Sequence, residues 1–168
     1  PSESLVANGT LNLSHFSEWN FKTIRMDASG KIKKLPLYIL CDLNPSFNCI
    51  NPLINEEINA DFDLHLNSML PPRGDASVHL KSLSFDSSAQ FTIDQNIQLK
   101  EKAPFSYHFT TKMREFLNSQ LNSIYCNLDN HPLSLVGEIE QLKFQPNLYQ
   151  TPISLTCDFT LNSSNAPQ

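Results

Sequence analysis

Glycine is scarce, with four residues in a chain of 168. They are too few and too scattered for a phosphate-cradling loop, and neither a G-x-S-x-G elbow nor an H-E-x-x-H helix occurs. With those fingerprints missing, a noncatalytic protein without a cofactor is expected. Basic clusters are missing as well. Twelve Lys and Arg against seventeen Asp and Glu give a net charge of −5, and the densest basic stretch, Lys31, Lys33 and Lys34, is broken by Ile32. Nucleic acid and anionic lipid surfaces need Lys/Arg clusters, so both are poor partners. Long apolar runs are absent too: the longest, Leu35 to Leu40, includes Pro36 and is strand-sized, so no transmembrane segment is expected.

What is abundant is apolar. Hydrophobic residues make up 40% of the chain and Phe alone contributes eleven, while charged residues are 17%. That balance belongs to a packed globule and not to a disordered chain. The length fits a single domain, placed at 1–161, followed by a flexible polar tail at 162–168 whose Ser, Asn and Pro favour fraying.

The four cysteines are Cys41, Cys49, Cys126 and Cys157; they form no C-x-x-C pair, and no His completes a zinc spacing. Disulfides are the leading reading, and of the three possible pairings we take Cys41–Cys49, closing the loop around Pro45, with Cys126–Cys157. Disulfides imply an oxidising compartment, hence an exported protein, periplasmic, envelope-associated or secreted. The chain starts at Pro1 rather than Met, as a processed protein or a trimmed piece of a longer one would, and a removed signal peptide or lipid anchor would leave no trace.

Period-two alternation dominates the chain. Asp61 to Asn67 alternates polar and apolar at every step, as does Gln90 to Ile93 with its continuation through Ile97 and Leu99. The last strand sets Ile153, Leu155, Cys157, Phe159 and Leu161 on one side and Ser154, Thr156, Asp158 and Thr160 on the other. Asp27-Ala28-Ser29-Gly30 reads as the turn of an N-terminal hairpin between Trp19–Met26 and Lys31–Leu40. Phase slips predict β-bulges near Lys81–Ser82 and Glu140–Gln141. One segment has helical spacing: after an N-cap at Thr110 or Thr111, Met113, Phe116, Leu117, Leu121 and Ile124 share a face. The expected fold is α+β, about eight strands in a mostly antiparallel sheet, bent by bulges and packed against this one amphipathic helix, with two disulfides.

Three constellations are candidates for function. A bent amphipathic sheet under a single helix suits an apolar pocket, lined here by Phe109, Met113, Phe116, Leu117 and Leu121 on the helix side and by Phe91, Ile93, Leu155 and Phe159 on strands. A plain core would use the same residues. Arg73-Gly74-Asp75, the tripeptide that integrin-binding adhesion proteins display, follows Pro71-Pro72 in an expected turn. His65 and His79, as cross-strand neighbours with Asp63 nearby, would be weak metal ligands; two solvated histidines are the plainer alternative.

The order of a helix over Thr111–Tyr125, a turn, Val136-Gly137-Glu138-Ile139-Glu140 and a final alternating strand resembles, over less than half the chain, the soluble domains of bacterial envelope-transport lipoproteins. The resemblance implies an envelope role. The expected function is a noncatalytic binding or assembly domain that recognises a protein partner or an apolar small molecule or lipid. The alternatives are a surface adhesin displaying Arg73-Gly74-Asp75 and a metal-dependent enzyme using His65 and His79.

Overall fold

The computed structural model describes residues 6–15, 21–36, 57–120, 132–145 and 154–163. Nine strands form one antiparallel sheet: β1 (Val6–Ser14), β2 (Arg25–Pro36), β3 (Glu57–Met69), β4 (Pro72–Lys81), β5 (Phe85–Ile93), β6 (Ile97–Leu99), β7 (Ala103–His108), β8 (Leu133–Phe144) and β9 (Ser154–Ser163). A helix, α1 (Thr111–Gln120), lies between β7 and β8 in sequence. Both β6 and β7 pair with β5 on one side and β8 on the other, so they are two pieces of a single lane. Among the described residues the sheet is an eight-lane meander in which every lane neighbours the next in sequence, with β1 and β9 as its edges. Such local connections are the commonest way to arrange antiparallel strands.

Strand alternation was legible at β3, β5 and β9, and the bulge expected at Glu140–Gln141 is present: the β8–β9 register shifts between Ile139 and Gln141. Other expectations need correction. Asp27-Ala28-Ser29-Gly30 is no turn; it lies inside β2, which runs unbroken from Arg25 to Pro36. Turn-forming residue types occur there because Asp27 and Ser29 face one side, while Ala28 and Gly30 supply small residues to the other. No bulge occurs at Lys81–Ser82. Instead β4 ends at Lys81, and Leu83, 98% exposed, sits in the connection to β5, which is why it falls out of phase. Ile97 and Leu99 do not continue β5 either, because the chain turns back after Ile93 and pairs Ile97 with it.

A bulge that the sequence did not announce bends β2, between Ile32 and Leu35. Lys34 there has φ 59°, and its N–H donates to Asn59 Oδ1 at 3.2 Å. A left-handed lysine is uncommon, and the side-chain acceptor replaces the ladder bond that the bulge disrupts. The helix begins where expected. Thr110 is its N-cap, accepting from Met113 N–H at 3.2 Å; Thr110→Ala should therefore cost about 1 kcal/mol in urea unfolding. Met113 is half-buried, and Leu121 and Ile124 lie outside the described residues. Asn162 and Ser163, expected in the tail, belong to β9.

Candidate functional site

Residues directly opposite one another in an antiparallel pair point to the same face of a sheet. Followed lane by lane, the register puts Leu11 with Ala28, Leu64 and Ala76, then Phe91, then Leu99 and on to β8. A second row runs from Gly9 through Gly30, Phe62, Val78 and Ala89. At the far side Phe105, Gly137 and Phe159 form a row, as do Tyr107, Leu135 and Leu161. One face is thus apolar across all eight lanes. Its buried members are Ile58, Ala60, Ile93, Ala103 and Leu133, and the hydroxyl of buried Ser87 is satisfied by donating to the Pro104 carbonyl at 3.0 Å.

All four glycines lie in strands on this face. A Cβ on Gly30 would come within 2.8 Å of the Phe62 ring, whereas one on Gly137 would run into backbone, the Asp158 carbonyl oxygen and Phe159 Cα. The missing side chain at Gly30 leaves room for the aromatic ring on the neighbouring strand, as in glycine sites rescued by a cross-strand aromatic. Phe91 and Phe144 meet edge-to-face with ring centroids 6.5 Å apart, the geometry that aromatic quadrupoles favour.

The face is only partly covered. Phe62, Leu64, Leu66, Val78, Phe91, Leu135 and Leu142 are half-buried, and exposure rises at both edges: Leu11 is 64% and Phe159 59% exposed. Of the expected pocket residues, Phe91, Ile93, Leu155 and Phe159 do share this face. They do not form one small pocket, since the β6/β7 lane and β8 separate β5 from β9. Phe109 stacks edge-to-face on Tyr107, centroids 5.2 Å apart, at the end of β7. Phe116 and Leu117 lie in α1.

The opposite face is polar and carries ion pairs between lanes: Lys31–Asp61 at 3.1 Å, Lys100–Asp75 at 3.3 Å and Lys102–Glu140 at 2.8 Å. Exposed pairs of this kind contribute little each. His65 and His79 both stand here, on paired strands as expected, but they are not neighbours. His65 is opposite Asp75 and His79 opposite Asp61. Each is engaged separately: His65 Nδ1–H donates to Asp27 at 2.8 Å, and His79 Nε2–H donates to Asp86 at 2.9 Å. Among the described residues no group of three His, Cys, Asp or Glu is arranged to hold a metal.

Asp27 raises the His65 pKa above the ordinary 6.5, by its hydrogen bond first and its charge besides, with Asp63 and Asp75 adding smaller contributions against some desolvation. A folded-state pKa above the unfolded one stabilises fully below pH 6.5, and that contribution fades as pH rises through the folded value. The His65 imidazole should accordingly titrate late by NMR, and Asp27→Asn should return its midpoint toward 6.5. Asp86 has the reverse sign. Hydrogen bonds from His79 and Lys81 lower its pKa, so its contribution is present at neutral pH and fades as pH falls through the lowered value.

Arg73-Gly74-Asp75 is extended and not in a turn; the connection before it is Leu70–Pro71, and the tripeptide belongs to β4 between β3 and β5. Both charges are occupied, Arg73 with Asp94 and Asp75 with Lys100, each at 3.3 Å. Cys157, half-buried, has a free thiol. Cys41, Cys49 and Cys126 lie outside the described residues. No helix among the described residues is long and apolar enough to cross a membrane. The chain matches no protein-family model, no curated protein and no solved structure.

Proposed function

We propose that this chain is a noncatalytic binding domain of an exported, envelope-associated or secreted protein, and that the apolar face of the sheet takes an apolar ligand such as an acyl chain. The observation that carries the reading is the coincidence of extent and exposure. Eight lanes about 4.8 Å apart, each some nine residues long at about 3.3 Å, give a face on the order of 1,000 Å². Exposed apolar patches above a few hundred Å² mark interaction sites in soluble proteins, and most large side chains on this face stay half-exposed. The export assignment rests on the even cysteine count alone, which favours an oxidising compartment; Cys157, whose thiol is free, adds no bridge to that support.

Native mass spectrometry of the unreduced protein, paired with titration of a fluorescent long-chain fatty acid, tests both parts. Bound lipid, or saturable binding that raises the unfolding midpoint, supports the carrier reading. Failure of every acyl chain to bind, with the face instead protected by a co-purifying polypeptide, would replace it with a protein-partner reading. A mass corresponding to four free thiols would overturn the export assignment.

A further inference from the structure

The edges of the sheet differ in a way that singles out β1. An unpaired strand edge is a template for another strand, and proteins blunt it with lysine, proline, a bulge or inward-pointing charge. β1 has none of these. Its nine residues carry no charge and no proline, its pairing to β2 is unbroken from Val6 to Ser14, and every one of them is exposed. Among the described residues no strand lies on its outer side.

We propose that two copies of this chain associate by antiparallel pairing of β1 with β1, with Thr10 on the two-fold axis. The strand is complementary to itself in that register over Ala7 to Leu13. On the apolar face Leu11 stands opposite Gly9 of the second copy and Leu13 opposite Ala7, large against small. On the polar face Asn8 meets Asn12, two amides able to donate and accept in turn, and Thr10 meets Thr10. The contact covers Leu11 and Leu13, exposed by 64% and 41%, and continues the apolar face across the junction. An isologous contact of this kind closes after two copies.

The other edge is unsuited to the same arrangement. β9 carries Asp158, which already faces Glu138 across the β8–β9 pair. A two-fold through β9 would bring a second Asp158 toward these two carboxylates, whereas β1 brings no like charges together. The association does not depend on what the apolar face binds.

Sedimentation equilibrium of the full chain, from low micromolar to submillimolar concentration, is the test. The wild type should show a monomer–dimer equilibrium. Thr10→Lys places two ammonium groups opposite each other and should raise the dissociation constant about tenfold or more. The double change Asn8→Asp with Asn12→Lys creates two opposite-charge pairs across the axis. Within each copy it sets Asp beside Lys31 and Lys beside Asp27, so it should fold and tighten the dimer. A wild type that stays monomeric throughout overturns the proposal, as does a dimer that neither variant affects.

Discussion

Gly74→Val should lower the unfolding free energy by about 3 kcal/mol or more, read as a shift of the urea midpoint without a change in slope. The expectation comes from the lane that Gly74 occupies. It pairs with Leu66 on β3 and Ile93 on β5, at the point where the β3–β4 register shifts before Ser68. A Cβ there would overlap the His65 carbonyl oxygen and press on its carbon and on Leu66 Cα, each at 2.8 Å. The obstacle is backbone, held on both sides, so no rotamer change relieves it. Gly9→Val provides the control. Its Cβ would also meet backbone, the Ser29 oxygen at 2.8 Å, but among the described residues β1 has only one neighbour and can move outward, so the loss should be smaller.

The second large effect is expected from Ala60→Asp, with Leu161→Asp as its counterpart on the same face. Ala60 is 4% exposed between Ile32 and Leu80, and a carboxylate there has no cation opposite it. Breaking burial in this way should cost about 3 kcal/mol or more at neutral pH. Burial raises a carboxyl pKa, so the penalty is smallest below the unfolded value near 4 and grows as pH rises. A stability profile that stays parallel to wild type across that range would contradict this account. Leu161 is 55% exposed on edge strand β9, so Leu161→Asp should stay within about 0.5 kcal/mol of wild type in stability. It should nevertheless weaken acyl-chain binding, because it places a charge on the proposed binding face.

The contrast between these sites explains which parts of the molecule were legible in advance. Alternation in Asp61–Asn67 and in the last strand is written into consecutive residues, and both segments became strands with the expected sidedness. The direction in which Leu155 and Phe159 point was readable. Their exposure, 57% and 59%, was not, because it depends on β9 having no neighbour beyond it among the described residues. Asp27–Gly30 misled for a related reason. Small and polar residues serve equally well in a turn and in a strand whose inner positions must leave space for a ring, and Phe62 stands over Gly30 only because β2 and β3 pair in one register. His65 and His79 sit on the expected face of paired strands. A register that sets them against Asp75 and Asp61 keeps them apart, and each finds its carboxylate elsewhere, His65 on Asp27 and His79 on Asp86.

Composition and local periodicity by themselves determined that this chain forms a mostly antiparallel sheet with one apolar face, begins its helix beside Thr110, and lacks the known catalytic fingerprints. They suffice because a period of two is carried by each strand alone. Tertiary structure decided the order of the lanes, the joining of separate apolar strips into one face, and the placement of Arg73-Gly74-Asp75 inside a paired strand. Those outcomes depend on which strand finds which partner and in what register, and that is a property of residues far apart in the chain.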